Sequence, residues 1–506
     1  MDVLPGVVGV VLVTVATLAI GTWRQRFSRT TSDFFVASRS VRPGLNASAI
    51  GGEYLSGASF LGVAGLLLVF GADMLWYPVG FTAGYLLLLV LVAAPLRRSG
   101  AYTLPDFAEA RFGSRTVRAV CSVLVVAVGW LYLLPQFEGA GITLAASVGA
   151  PRWVGPVVVG AVVLVGVGSG GMRSITFVQA FQYWLKLTAL LVPLAVLLVV
   201  WVGDGAPAPA SAPDTAAWSL PIASGGGPGL YATYSLIVAT FLGTMGLPHV
   251  VVRFYTNPDG GAARRTTLAV LVLLGVFYLL PPAYAFLGRV YGEGLAAAGR
   301  ADVLVLELPR VVLPGLAGEL LTALVTAGAF AAFLSTSSGL AVAVAGVLGQ
   351  DVVGRSRLLR GREGDGLSGI GAFRVGAVLA VVVPLAVSLL TPDVGVARSV
   401  GLAFAMAAST FCPLLVLGIW WRGLTAAGAV AGLVVGGCGC GAAIGATLLT
   451  GTRGGWTGAL LEQPAAWSVP LAVLVMVGVS LLTADRVPPH ARRFLARLHT
   501  PESARP

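Results

Sequence analysis

Long apolar stretches of about 20 residues, nearly free of charge, recur along most of this 506-residue chain. A stretch of ~20 apolar residues crosses the ~30 Å hydrocarbon core of a bilayer as a helix. Hydrophobic residues make up 57% of the chain and charged residues 10%, whereas soluble domains carry about 25% charged residues. We therefore predict an all-α membrane protein whose main solvent is lipid.

The pattern predicts thirteen transmembrane helices. Their approximate bounds are residues 5–22, 45–70, 75–95, 118–147, 153–170, 177–202, 230–252, 266–290, 318–348, 372–391, 396–420, 424–449 and 467–484. Arginine-rich segments follow spans one, three, seven, nine and thirteen, near residues 24–42, 97–115, 253–265, 355–362 and 486–497. Because basic loops stay in the cytoplasm, the N-terminus is predicted outside and the C-terminus inside. The first segment lacks a basic leader and a good cleavage site, which favours a retained span.

The net charge of +11 comes from arginines in short loops, so it does not indicate nucleic-acid binding. Lys186 is the only lysine, and we expect it to extend its amine to the membrane interface. The short basic tail after residue 485 is predicted to be solvated and to face lipid. A short apolar pattern between Val303 and Val312 suits a helix lying on the surface.

An interruption in span two is the first candidate for a functional site. Glu53 lies between Gly51-Gly52 and Tyr54-Leu55-Ser56-Gly57, in a segment that its glycines make easy to unwind. Unwound backbone inside a membrane must face protein or a watery cavity. Three roles stay open for the Glu53 carboxylate: a structural hydrogen bond, a direct cation ligand, or coupling through protonation.

Span seven contains a second interruption, Gly243-Thr244-Met245-Gly246-Leu247-Pro248-His249. Proline removes a backbone donor, and two glycines loosen the preceding turn. Interrupted helices at matching positions of two halves indicate a transporter's binding site, and spans two and seven are five apart, as a five-plus-five inverted repeat requires. A simple packing kink is the alternative. For His249, a hydrogen bond at a helix end is favoured over proton transfer.

Two adjacent hydroxyls, Ser335 and Thr336, lie deep in span nine. Such hydroxyls often bond back to carbonyls one turn earlier. Together with the break in span two, they indicate an ion site, because hard cations prefer oxygen ligands. The carbonyls of Gly52, Leu55 and Ala332 with these two hydroxyls would supply five oxygens for sodium.

Span four carries Gln136 and Glu138 directly after Pro135. The amide of Gln136 suits a carboxylate ligand, and an interhelical hydrogen bond is an equal alternative.

At these motifs the chain resembles the sodium:solute symporter family, over about residues 30–485, and within it the cation/acetate symporters. The matching stretches are residues 33–40, the motif of span two through Gly62, residues 170–172, 243–255 and 401–405. The resemblance implies a LeuT-like inverted repeat in spans two to eleven, with sodium at Gly52, Leu55, Ala332, Ser335 and Thr336. Many members have Thr-Asp where this chain has Val178-Gln179, so a second sodium site is not expected there.

The resemblance also places the solute between the two broken helices. The substrate-binding candidates are Tyr54, Ser59, Gln136, Thr244, Met245 and Gly246. The coupling or gating candidates are Glu53, Glu138, Pro248 and His249. The predicted units are 1–44 (first span and loop), 45–202 (first repeat), 203–229 (flexible outer loop), 230–420 (second repeat), 421–484 (two more spans) and 485–506 (cytoplasmic tail).

The sequence thus predicts a multi-pass protein of a bacterial cell membrane that takes up a short monocarboxylate, acetate first, with sodium and by alternating access. The carboxylate would meet backbone N–H groups at a half-helix start, near Gln136 and Thr244. A proton-coupled carrier, a carrier of another small solute and a transporter-like sensor stay open. Three scattered histidines argue against an enzyme. No organic cofactor is expected, and the oligomeric state stays open.

Overall fold

The computed structural model describes residues 4–25, 30–209, 218–220, 226–292, 294–295, 298–354, 369–390, 396–451 and 454–502. Within these ranges every regular element is a helix, as the apolar pattern predicts. Eleven helical segments among the described residues are long and apolar enough to cross a membrane.

The first half of the chain forms nine α-helices joined by short 3-10 and π turns. They are α1 (Leu4–Gln25), α2 (Thr31–Val36), α3 (Pro43–Tyr54), α4 (Val63–Phe70), α5 (Trp76–Leu87), α6 (Ala93–Ser99), α7 (Leu104–Phe112), α8 (Arg115–Val148) and α9 (Val154–Gly203). The 3-10 turns are Ala37–Arg39 and Gly71–Leu75, and the π turns are Ala58–Gly62 and Leu88–Val92.

Twelve further α-helices are described in the second half. They are α10 (Gly226–Gly246), α11 (Pro248–Val252), α12 (Gly260–Tyr278), α13 (Leu280–Tyr291), α14 (Leu304–Val312), α15 (Leu316–Val347), α16 (Gly369–Leu390), α17 (Val396–Trp420), α18 (Ala426–Thr450), α19 (Gly455–Glu462), α20 (Ala465–Leu482) and α21 (Ala491–His499). The 3-10 turns are Arg253–Thr256, Ala301–Val303 and Ala484–Arg486, and a π turn is Leu348–Val353.

Two of the eleven apolar segments are long enough for two spans each. Ala58–Ser99 has 42 residues and Val154–Gly203 has 50. Backbone breaks divide both, at Gly71 with φ +74° and at Gly171 with φ +55°. At Gly171 a side chain would also meet the backbone of Phe34, since an added Cβ would lie 2.7 Å from its Cα. These breaks fall where the sequence separates spans two from three and five from six; the total of thirteen stays a prediction.

Helix α15 forms the centre of the bundle. In Leu316–Val353, all residues of an apolar 18-residue stretch are buried within the protein. In Leu4–Trp23 of α1, 28% of the residues of such a stretch are buried. Helices α1, α3, α8 and α9 all pack against α15. Ser335 and Thr336 therefore lie in protein and away from lipid, and both are fully buried.

The apolar pattern before span nine forms a helix, α14, as predicted. It does not simply rest on the surface, because Leu304, Val305 and Leu308 are fully buried and Leu306 nearly so. Helix α14 packs against α13 and α15. The apolar face of this short helix thus belongs to the protein core.

Several arginine-rich segments meet at one end of the bundle. Arg39 donates to the carbonyl of Gly100 at 2.6 Å, and Arg97 to that of Asn257 at 2.5 Å. Segments that were predicted on one side of the membrane therefore share one end of the fold. Which side this end faces stays a prediction, and the predicted basic residues 355–362 lie outside the described residues.

The described part of the tail packs one face of α21 against the bundle, which the prediction of a solvated segment missed, while Arg492, Arg493 and Arg497 are exposed. Ala491 and Leu498 of α21 are buried, and α21 packs against α6, α7 and α17. Glu502 accepts hydrogen bonds from Arg98 and from the backbone N–H of Gly260. The tail is therefore tied to the end of the bundle.

Candidate functional site

Helix α3 breaks where the sequence predicts. It ends at Tyr54, Leu55 has φ −73° and ψ 82°, and the helix resumes at Ala58 as a π turn. Gly52 is needed for close packing here, because an added Cβ would lie 2.1 Å from the carbonyl oxygen of Gln179 in α9. The break leaves the carbonyls of Gly52 and Leu55 available to partners other than the helix's own N–H groups.

The second predicted break is also present. Helix α10 ends at Gly246, Leu247 is extended with φ −69° and ψ 117°, and α11 begins at Pro248. Proline fits the first position of a helix because its missing N–H has no partner there anyway. Met245, at the end of α10, is 1% exposed. The half-helix α11 has only five residues, so it offers a carboxylate little of the aligned dipole that was expected at a half-helix start.

Hydrogen bonds bring the two breaks together. The hydroxyl oxygens of Tyr54 and Thr244 are 2.7 Å apart, and Thr244 donates to the carbonyl of Thr240 at 2.8 Å. The Tyr54 hydroxyl also lies 3.2 Å from the carbonyl of Phe81, so each hydroxyl has a carbonyl acceptor and either one can donate in the first contact. Ser59, beyond the first break, lies 2.8 Å from the hydroxyl of Tyr278 in α12. Four of the six predicted substrate residues thus take part in or adjoin these contacts: Tyr54, Ser59, Thr244 and Met245.

Gln136 also reaches the first break. Its Oε1 accepts the backbone N–H of Gly57 at 3.2 Å. Its Nε2 is buried and has no hydrogen-bond partner among the described residues. Since a buried donor without a partner costs free energy, this amide is suited to an acceptor from a bound solute.

An aromatic cluster packs around the ring of Tyr54. The Tyr54 ring packs edge-on against Tyr85 and Phe404, with centroids 4.7 Å and 6.2 Å away. Phe404 lies 5.9 Å from Tyr132, whose ring contacts His249 at 5.3 Å. Both ring nitrogens of His249 are buried without a hydrogen-bond partner among the described residues. His249 therefore lies beside the cluster, although the hydrogen bond predicted for it at a helix end is not found.

The two hydroxyls of α15 behave differently. Ser335 bonds back to the carbonyl of Ala332 at 3.0 Å, which is the common behaviour of a hydroxyl in a membrane helix. Thr336 instead donates across to the carbonyl of Glu53 in α3 at 2.6 Å. We call the carbonyls of Gly52, Leu55 and Ala332 and the two hydroxyls the oxygen set.

Lys186 points into the oxygen set. Its amine donates to the carbonyl of Gly52, to the carbonyl of Leu55 at 2.7 Å and to the hydroxyl of Ser335 at 3.0 Å. The side chain is fully buried, so the prediction that Lys186 reaches the membrane interface is wrong. Its stem is directed inward because α9 packs against both α3 and α15 at this level.

Glu53 forms a buried ion pair with Arg253. Nε of Arg253 donates to Oε2 of Glu53 at 2.5 Å, and Nη1 donates to Thr176 at 2.9 Å. Arg253 was predicted to lie in a cytoplasmic loop, yet it is 1% exposed. Of the three roles left open for Glu53, the structural pairing is the one this geometry displays. A clue lay in the sequence: Arg253 follows the proline break by one helical turn and a half.

Glu138 is apart from this group. It lines an open cavity of about 320 Å³ near the end of α8, together with Arg152 and Trp153. The structure thus separates Glu138 from the other gating candidates, which lie at the breaks. Sequence reasoning missed Gln179, whose Nε2 donates to the carbonyl of Ser335 at 2.8 Å and so links α9 to α15.

An interaction outside the spans steadies the end of the bundle. Burial acts to raise the pKa of Asp33, but hydrogen bonds from Ser38, Thr30 and Arg173 outweigh it and hold the pKa well below its usual range. Asp33 caps α2 with Thr30, and it accepts from Arg173 at 2.7 Å. The Asp33 carboxylate therefore links the segment after α1 to α9.

A family model describes most of this fold in sequence terms. The model of the sodium:solute symporter family matches residues 34–436. The chain belongs to the sodium:solute symporter family. The match runs from within α2 to within α18 and includes both helix breaks and the oxygen set.

Two curated relatives are similar to this symporter over most of their length. An uncharacterized symporter of Bacillus subtilis, YwcA, is 32% identical over 432 residues, which cover 83% of this chain and 82% of the relative. A monocarboxylic acid transporter of Corynebacterium glutamicum is 33% identical over 433 residues, covering 80% and 77%. Family and relatives together identify a membrane transporter and not an enzyme.

The fold is shared with LeuT-like transporters of known structure. A Na⁺-coupled sialic acid symporter, solved in a substrate-bound outward-open state, aligns with 94% of this symporter and 98% of its own chain. The TM-score is 0.69 at 14% sequence identity. At such low identity the likeness describes the fold alone, while family membership implies sodium coupling in general.

Proposed function

We propose that this symporter takes up a short monocarboxylate, acetate first, by alternating access, with the solute held between the breaks of α3 and α10. The observation that carries this proposal is the buried Nε2 of Gln136, a donor without a partner at the first break. A carboxylate is a strong acceptor for such an amide. The name of the Corynebacterium glutamicum relative, a monocarboxylic acid transporter, supports the same solute class.

The surroundings of Gln136 favour a small solute. The substrate candidates Tyr54, Ser59, Thr244, Met245 and Gly246 are all buried. Rings of Tyr54, Phe81 and Phe404 pack closely, with centroids 4.7 Å apart for the last two. We propose that the carboxylate accepts from Gln136 and from the Tyr54 hydroxyl, whose single proton turns to it from Phe81 or Thr244, while a short alkyl group packs against these rings.

The oxygen set is proposed to link the two repeats. A positive charge held by Gly52, Leu55, Ala332, Ser335 and Thr336 would attach α3 to α15 and so shape the solute site next to it. Because α3 and α15 belong to different predicted repeats, occupation of this position would bias the relative position of the repeats. The family implies sodium as the coupling ion.

A proton-driven carrier of the same solute is the second candidate. It is favoured by the amine of Lys186, which already contacts three members of the oxygen set. Glu53 is engaged with Arg253. Glu138, the other candidate for proton coupling, lines the cavity near Arg152.

Counterflow of labelled acetate in proteoliposomes tests the proposal. Vesicles preloaded with acetate should accumulate label, and propionate and pyruvate should compete. Separate gradients of sodium and of pH then distinguish the two candidates. Vesicles that show no acetate-dependent counterflow in either gradient would contradict a monocarboxylate carrier.

A matched pair of glutamine variants tests the site. Gln136→Leu removes the unpaired donor and should raise KM for acetate by about tenfold, the effect of losing about 1.4 kcal/mol of binding. Gln182→Leu is the control, because Gln182 is also buried in a span but donates to Thr17 in α1. Equal effects of the two variants on KM would exclude Gln136 as a solute contact.

A further inference from the structure

The amine of Lys186 uses all of its hydrogens on the oxygen set. Two of its partners, the carbonyls of Gly52 and Leu55, only accept hydrogen bonds. The third, the hydroxyl of Ser335, spends its own proton on the carbonyl of Ala332, so it accepts from Lys186. Three donated bonds need three N–H groups, which only the charged ammonium has.

The remaining members of the oxygen set are engaged as well. The carbonyl of Ala332 accepts from Ser335, and Thr336 donates to the carbonyl of Glu53. Every one of the five predicted sodium ligands thus has a partner within the chain. A sodium ion at this position would have to displace the ammonium from three oxygens.

Displacement would leave the ammonium inside the core, where an acceptor without a hydrogen-bond partner near it among the described residues is Oε1 of Glu53. Lys186 is fully buried, and the nearby carboxylate Glu53 is paired with Arg253. An ammonium and a sodium ion sharing the same oxygens would repel each other strongly, since charges inside a protein are poorly screened. An isolated charge in a membrane protein's interior is also costly unless partners compensate it, and here the oxygen set compensates it.

We propose that the ammonium of Lys186 is the resident cation of the oxygen set, in the place where the family implies sodium, and that this position does not bind Na⁺. The tethered charge attaches the break of α3 to α15 without a diffusible ion. If sodium drives transport by this symporter, it binds elsewhere. The role of this ammonium in transport rests on the proposed function. Its occupancy of the oxygen set does not, because ion binding is measured without solute.

Binding of radioactive sodium to the purified full-length protein in nanodiscs tests this directly. The wild type should show no saturable binding that depends on Ser335 and Thr336. Lys186→Met keeps most of the apolar stem and removes the charge, so it should create sodium-dependent stabilisation, with a melting temperature that rises with NaCl but not with choline chloride. Adding Ser335→Ala to that variant should weaken the new binding by about tenfold, or about 1.4 kcal/mol.

Lys186→Arg keeps the charge and is the matched control, in which no sodium-dependent stabilisation is expected. Saturable sodium binding by the wild type that Ser335→Ala with Thr336→Ala abolishes would overturn the inference, and this needs no lysine variant to fold. Sodium binding that the same double variant leaves unchanged supports it, since the ion then lies elsewhere. A folded Lys186→Met protein that sodium does not stabilise would also count against it. Failure of acetate counterflow would refute the proposed function while these binding results still stand.

Discussion

Glu53 and Arg253 form an ion pair with a separation of 2.5 Å between Oε2 and Nε, and their side chains are only 2% and 1% exposed. Glu53 lies one residue before the end of α3, and Arg253 directly follows α11. The pair therefore links the two broken helices, beside the break of α3 and at the far end of the short helix that follows the second break. We expect the ion pair to stabilise the fold and to hold the two broken helices in position around the proposed solute site.

Mutations of the two partners should have strongly non-additive effects on the stability of the protein. Removing one partner of a buried pair leaves an uncompensated charge and costs about 3–5 kcal/mol. We expect Glu53→Gln and Arg253→Met each to lower the melting temperature in detergent markedly, and the double variant to lose less than the sum of the two. Additive losses in this cycle would show that the two side chains do not depend on each other.

Gly339 is predicted to be intolerant of a side chain. A Cβ added there would lie 2.1 Å from Cδ and from Oε1 of Glu53, whose carboxylate is fixed by Arg253. Overpacking of a buried site costs about 1–3 kcal/mol, so Gly339→Ala should reduce the yield of folded protein and its thermal stability.

Gly445→Ala is the control for Gly339, because nothing lies within 4 Å of the position its Cβ would take. Gly445 is inside helix α18, where alanine is favoured over glycine by about 0.5–1 kcal/mol. Thermal melts of the two variants should therefore shift in opposite directions. A Gly339→Ala protein as stable as Gly445→Ala would contradict the packing described around Glu53.

Tyr54→Phe should affect the solute site as well as stability. The change removes the hydroxyl that meets Thr244 across the two breaks, and a buried hydrogen bond contributes about 1 kcal/mol. We expect a higher KM for acetate in uptake assays. Tyr284→Phe removes a comparable hydrogen bond, to the carbonyl of Leu190, away from the breaks, so it should cost stability and leave KM unchanged. A Tyr54→Phe protein with wild-type KM would separate Tyr54 from solute binding.

The lowered pKa of Asp33 predicts how the stability of the protein depends on pH. Its folded pKa lies below the unfolded value of about 3.9, so its stabilising contribution is complete above that value and is lost as the pH falls toward the folded pKa. Asp33→Asn should lower the melting temperature by a constant amount between about pH 5 and pH 8, and the deficit should shrink in stronger acid.

Asp485→Asn is the control for Asp33, because Asp485 is 80% exposed and only 3.9 Å from Arg486. It should have no effect on melting at any of these pH values, since exposed ion pairs contribute little. A deficit of Asp33→Asn that grows on acidification would contradict the described hydrogen bonds.

Local sequence features were sufficient to predict both helix breaks. Glycines before Glu53 and the Gly-Leu-Pro run at Gly246 act through backbone geometry, which depends on the residues themselves. The burial of α15 also follows from its composition, since its residues are apolar and mostly small on every face of the helix. Such features need no knowledge of the neighbouring helices.

The partners of buried charges were not predictable in the same way. Lys186 is 134 residues from Gly52 along the chain, and Arg253 is 200 from Glu53. The charge pattern alone predicted Lys186 at the membrane interface and Arg253 in a cytoplasmic loop, because a cation in a span is costly. Their compensation comes from elements distant in sequence, so only the packing of α9 and α11 against α3 reveals it. The clue for Lys186 was its place in the middle of an apolar stretch.

The burial of Lys186 also makes the chain an unusual chemical reporter. With a single lysine in the sequence, amine-reactive reagents have no side-chain target on the folded surface. The rate at which Lys186 is labelled would therefore report how often the core opens.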